Sequence, residues 1–128
     1  MTELTPYLCV ADARSAIDWY VGALGAEVVE DPIYMPDGRL GHVELAVGGA
    51  RWMMADEFPD FGVEAPDPTR GSAVSLHLTV DDVDAAAARV VAAGSALDRG
   101  PEDSEQAGRV AVFRDPFGHR WFLNQPSA

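Results

Sequence analysis

Cysteine is all but missing from this chain. Cys9 stands alone among 128 residues, so no internal disulfide can form and a disulfide-framed secreted module is excluded. A reducing cytoplasm is the expected location. No stretch approaches the ~18 consecutive apolar residues of a membrane helix. The opening residues Met1 to Pro6 lack the basic start and apolar run of a secretory signal. No membrane partner is expected. Positive charge is scarce too: nine Lys+Arg stand against 21 Asp+Glu, a net charge of −12. A surface that acidic repels phosphate backbones, so nucleic acid is not an expected partner either. What is present is an ordinary globular composition, 48% hydrophobic and 23% charged, which excludes disordered and fibrous classes. The length suits one domain, 1–128, that buries its own core.

The chain repeats itself. Pro6 to Asp12 reads as a strand leading into a helix over Ala13 to Leu24, closed by Gly25. Val74 to Asp82 reads as a strand leading into a helix over Val83 to Ala93, closed by Gly94. Val10, Asp12, Ala16 and Gly25 match Val80, Asp82, Ala86 and Gly94. Gly41-His42-Val43 resembles Gly108-Arg109-Val110, and Arg51-Trp52-Met53-Met54 resembles Arg120-Trp121-Phe122-Leu123. These matches run in one order at offsets of 70, 69, 67 and 69 residues. A period this long is no solenoid, and two copies of one module are the natural reading.

Asp12, and Asp81 or Asp82, suit a helix start, where a carboxylate accepts from free backbone N–H groups. Gly25 and Gly94 suit the left-handed residue that ends a helix. Ala26 to Tyr34 predicts a strand in which Asp31-Pro32 marks an edge or a bend. Pro36-Asp37-Gly38 turns the chain into a strand at Leu40 to Val47, and Gly48-Gly49 into another at Ala50 to Ala55. The second copy predicts a weak strand near Ser95 to Leu97, a polar loop, then strands at Arg109 to Arg114 and His119 to Asn124. Each module is therefore βαβββ: module 1–56, connector 57–72, module 73–128. The fold class is α+β, two paired modules with mixed sheets forming an open cup.

Alternation sorts each strand into two faces. Leu8 and Val10 oppose Tyr7 and Cys9; Leu76, Leu78 and Val80 oppose Ser75, His77 and Thr79; Val43 and Leu45 oppose His42 and Glu44. The aliphatic faces should lie under the helices, and Trp52 and Trp121 belong to the core. The mixed faces should line the cup.

This paired pattern resembles the vicinal oxygen chelate superfamily, which includes glyoxalase I, extradiol dioxygenases, fosfomycin-resistance proteins and bleomycin-binding proteins. The stretches that carry the resemblance are Pro6-Tyr7-Leu8 through Trp19-Tyr20, Pro36-Asp37-Gly38-Arg39 with Gly41 to Leu45, Val74 to His77 with Val80 to Ala85, and Asp115 to Trp121. Their wording is similar to that of its small PhnB-like, glyoxalase-like members. The resemblance implies a cup-like sheet per module and a homodimer. In metal-dependent members, His, Gln or Glu come from four strand positions. Those positions here hold Thr5, Met53, Ser75 and Phe122, none a good ligand for a borderline or hard divalent ion. A shift of two residues brings His77 onto the face in place of Ser75 but leaves the other three unchanged.

The leading expectation is therefore a metal-free cup that binds a small organic molecule, as bleomycin-type resistance proteins do, with no cofactor. Tyr7, Met53, Phe113 and Phe122 would form an apolar wall, with Cys9 and His42 beside it. Arg109, matched to His42 across the repeat, would clamp an anion; a surface ion pair is the plain alternative. The alternative function is a lyase or dioxygenase-like enzyme. His42, Glu44 and His77 would then hold a divalent metal, or His77 and Glu44 would act in acid–base catalysis without one. Against each stands an ordinary role: a structural histidine, a solvated carboxylate, a buried inert thiol at Cys9.

Overall fold

Asp12 opens helix α1 (Ala13–Leu24): it is extended, and its carboxylate accepts from the Ser15 amide at 3.2 Å. Gly25, with φ of 71°, ends that helix in the left-handed region, where a side chain would be strained. In the second copy Asp82, not Asp81, caps helix α2 (Val83–Ala92), accepting from the Ala85 amide at 3.1 Å. The helix stops one residue short of the expected end. The computed structural model describes residues 1–128 throughout.

Eight strands accompany these helices: β1 (Tyr7–Cys9), β2 (Glu27–Tyr34), β3 (Leu40–Val47), β4 (Ala50–Ala55), β5 (Ser75–Thr79), β6 (Leu97–Ser104), β7 (Gly108–Arg114) and β8 (Arg120–Gln125). They form two four-stranded sheets, ordered β1-β4-β3-β2 and β5-β8-β7-β6. In each, the first strand runs parallel to the last and the remaining neighbours are antiparallel. This is the duplicated α+β arrangement expected, two βαβββ modules with mixed sheets. The chain divides into two compact units, Met1–Pro66 and Asp67–Ala128, so the division falls inside the 57–72 connector.

In the first unit Leu8, Val10, Val43, Leu45, Trp52 and Met54 are buried on the helix side of the sheet. Tyr20 of α1 meets Trp52 edge to face at 5.4 Å. In the second unit Trp121, Leu123, Ala111 and Phe113 form the corresponding buried layer with Val83, Ala87 and Val90 of α2.

Two expectations need correction. The polar loop placed after Leu97 is mostly strand: β6 continues to Ser104, paired with β7 through two register shifts. As an edge strand it exposes much of its length, so it needs no alternating apolar face and tolerates Pro101. The expected pairing of His42 with Arg109 is also one residue out. Leu45 pairs with Trp52, and Phe113 with Trp121. Trp52 and Trp121 correspond, so Leu45 corresponds to Phe113, and His42 and Glu44 correspond to Val110 and Val112. A one-residue slip exchanges the faces of a strand. Arg109 therefore lies on the helix side, not opposite it.

Candidate functional site

The face of the first sheet away from α1 carries Tyr7, Cys9, His42, Glu44 and Met53. The register sets Tyr7 beside Met53. The Tyr7 phenol donates to the Gly41 carbonyl at 3.1 Å and lies 2.8 Å from Nδ1 of His42, the rings meeting edge to face. Tyr7 stays 53% exposed; partial burial raises its phenol above the ordinary pKa. Glu44 is buried, and its Oε2 accepts from Nη1 of Arg51 at 2.9 Å. Cys9 is half-buried with Sγ 3.8 Å from the Asp56 carbonyl. Burial, then the carboxylates of Glu57, Asp56 and Glu64, push its thiol up to about 11. A thiol so placed is neutral and unreactive near neutrality.

Beside Tyr7 opens a cavity of about 460 Å³, lined by Tyr7, Met35, Gly41, Phe58, Phe61 and Val63, with Ala55 at its floor. Gly41 of β3 lets the Met35 side chain lie against the strand and reach the cavity. Gly41 has no side chain, and the end of Met35 fills the space its Cβ would take. The connector makes the wall. Phe58 and Val63 pair backbone to backbone, closing a short loop over the 3-10 turn Pro59–Phe61. Arg39 holds that loop: its Nη1 donates to the Glu57 carbonyl at 3.1 Å and its guanidinium lies 4.2 Å from the Phe58 ring centre. Glu57 in turn accepts from the Ala65 amide at 3.1 Å. Phe61 remains 83% exposed at the rim. An exposed phenyl beside an apolar hollow offers contact area for a binding partner.

The sequence pointed to the sheet face and left the 57–72 connector equally a binding segment or a plain tether, with none of its residues singled out. Tyr7 belongs to the cavity, and His42 supports it through the phenol. Met35, Phe58, Phe61 and Val63 carried no periodic signal, because they sit in turns and in the connector. Aromatic residues in a connector longer than the usual loop were the one available clue.

The remaining expected site residues are distributed differently. In the second unit His77 is exposed and lies flat on Phe122, ring centres 5.8 Å apart, because the register pairs the two directly. Phe113 is no ligand wall: it is fully buried and stacks on Trp121 at 6.2 Å, on the core side. Arg109 holds no anion. Its Nε and Nη2 donate to Asp84 at 2.7 and 2.9 Å and its Nη1 to Asp103 at 3.0 Å, so the plain ion pair replaces the clamp.

A divalent metal does not fit the residues present. Met53 offers a thioether and Phe122 a phenyl ring; the Ser75 hydroxyl is engaged by Nη1 of Arg120 at 2.6 Å. The alternative ligands His42 and Glu44 are bonded to Tyr7 and Arg51. Nowhere do three or more His, Cys, Asp or Glu side chains gather as an ion would need.

Two duplicated βαβββ modules with mixed sheets define the fold class, and comparison with known proteins gives the family. Residues 3–123 match the Glyoxalase/Bleomycin resistance protein/Dioxygenase superfamily, and the chain belongs to that superfamily. The uncharacterized protein Rv0887c of Mycobacterium tuberculosis (strain ATCC 25618 / H37Rv) is 43% identical over 126 residues, covering 96% of this chain and 74% of the relative. TnmS3, an antibiotic binding protein from Streptomyces sp. CB03234, is 31% identical with a TM-score of 0.67 over 98% of each chain. TioX from Micromonospora sp. ML1 shares the fold at a TM-score of 0.76 and 23% identity, covering 99% of this chain and all of its own. No helix is long and apolar enough to cross a membrane.

Proposed function

We propose that this protein binds a small organic molecule with an apolar, aromatic part in the hollow beside Tyr7, without a metal or other cofactor. The observation that carries the reading is the exposed Phe61 held over a cavity of about 460 Å³ whose walls are Tyr7, Met35, Phe58 and Val63. The volume suits a drug-sized ligand. Membership of a superfamily that includes bleomycin resistance proteins, and similarity to an antibiotic binding protein, support it. A cytoplasmic homodimer is part of the same reading, on the lone cysteine and the resemblance.

The test is a thermal-shift and calorimetric screen of aromatic natural products and antibiotics. A ligand specific for the folded state raises the melting temperature. Phe61→Ala should weaken such a ligand by roughly tenfold to a hundredfold, since covering a Phe side chain is worth ~1.5–3 kcal/mol. Metal content below stoichiometric and indifference to chelator should accompany it. Binding that persists unchanged in Phe61→Ala, or that needs a divalent ion, contradicts the proposal.

One observation favours a second reading, an enzyme without metal. The Tyr7 phenol and His42 imidazole, 2.8 Å apart, form a hydrogen-bonded pair of acid–base side chains beside the cavity. Turnover of a bound ligand that disappears in His42→Ala while binding remains would support it.

A further inference from the structure

A second hollow, in the other unit, has the opposite chemistry. Every basic side chain of this chain is arginine; it contains no lysine. Acidic residues outnumber them more than two to one, and Arg39, Arg51, Arg99 and Arg109 each hold a carboxylate within 3.0 Å. Arg70, Arg114 and Arg120 do not. Together with Ser72, Ser75 and Asp98 they line one cavity of about 560 Å³.

The sheet builds this row. Arg114 of β7 lies opposite Arg120 of β8, and Arg120 opposite Ser75 of β5. All three project from the face opposite α2, the face of His77 and Phe122. Neutral acceptors aim the guanidinium groups. Arg114 donates from Nη1 to the Arg70 carbonyl at 2.7 Å and from Nη2 to the Ser72 hydroxyl at 2.9 Å. Arg120 donates from Nη1 to the Ser75 hydroxyl at 2.6 Å and rests 5.9 Å from the Phe122 ring centre. These bonds fix direction without neutralising charge. Most guanidinium N–H groups of Arg114 and Arg120 remain unspent, and that of Arg70 is wholly so.

Three like charges around one hollow repel one another, and the single carboxylate of Asp98 forms no ion pair with any of them. In a chain this acidic, counter-ions were available and are used by most other arginines. We propose that this cavity binds a small organic dianion, a phosphomonoester or a dicarboxylate. Arginine's planar fork matches both groups bidentately. The cavity leaves room for an organic body attached to the anionic group. The site is separate from the hollow beside Tyr7 and stands whether or not that reading holds.

Calorimetric titration of the full chain with phenyl phosphate, phthalate, benzoate and inorganic phosphate tests this. One aryl dianion should saturate a single site at least about tenfold more tightly than benzoate or inorganic phosphate, and added salt should weaken it. Whether phenyl phosphate or phthalate binds better separates a phosphoryl group from paired carboxylates. The double variant Arg70→Gln/Arg120→Gln should weaken binding at least about tenfold, whereas Arg14→Gln, outside the cavity, should not change it. Amide shifts in the unmutated protein locate the site independently of any variant: perturbation at Ser72, Ser75 and Arg120 supports it. Absence of saturation by either aryl dianion, perturbations confined to other residues, or a folded double variant that binds as the parent does overturns the proposal.

Discussion

Cys9 illustrates how little a residue type says without its surroundings. It shares a sheet face with Tyr7, which made it a ligand-binding expectation, yet burial and three nearby carboxylates raise its thiol from an ordinary 9.0 to about 11. The folded chain therefore holds that proton more tightly than the unfolded chain. The resulting stabilisation is complete below about 9 and is lost as pH rises toward about 11. Alkylation by iodoacetamide should be slow in the native protein near neutrality, fast after denaturation, and accelerate in the native protein only as pH approaches the raised value. Rapid native labelling near neutral pH would contradict this placement. Arg109 teaches the same lesson with charge. From sequence it was equally an anion clamp or an ion pair, and only the positions of Asp84 and Asp103 decide for the pair.

At the scale of elements, each helix is tied to its sheet by one polar side chain at the C-terminal end of the module's last strand. Asp56 accepts from the Ala13 amide at the start of α1 and from the Leu40 amide at the start of β3, both at 2.7 Å. Gln125 does the first of these jobs for α2, accepting from the Val83 amide at 3.0 Å. The two positions are 69 residues apart, the offset of the Trp52–Trp121 repeat, yet Asp and Gln share no obvious pattern and the correspondence is invisible in sequence. Asp56→Ala leaves two backbone donors unanswered and should cost about 2–4 kcal/mol in denaturant unfolding. Asp56→Asn, which keeps one acceptor, should cost less. Equal stability of all three proteins would refute the tie.

The helices and central strands were legible because caps, closing glycines and alternating faces are local signals. Asp12, Gly25 and the Leu40 to Val47 strand fall where expected. Edge strand β2 was legible too, since Asp31-Pro32 marks the bend that appears as register shifts against β3. Edge strand β6 was not, because a strand with both faces largely in solvent shows no alternation. Register was the other blind point. A match of Gly41 to Gly108 looked as good as any other, and it moved Arg109 and Phe113 to the wrong side of the sheet.

For the whole molecule, duplication explains the fold, and divergence between the copies explains the two hollows. The first copy keeps His42 and Glu44 where the second has Val110 and Val112. The first also builds an apolar hollow against its own loop, while the second gathers unpaired arginines at one end of its sheet. The superfamily was readable from paired motifs spread along the chain. The hollow beside Tyr7 was not, because three of its seven lining residues are Phe58, Phe61 and Val63, in a segment with no period to read. On the proposed function, this loop and Tyr7 together receive an apolar organic ligand. The most direct measurement is a crystal structure of the protein with a saturating ligand from the screen. Electron density is expected for an aromatic group against Tyr7, Met35, Phe58 and Phe61, with no metal between ligand and protein. Density for the ligand elsewhere, or bound through an ion, would contradict it.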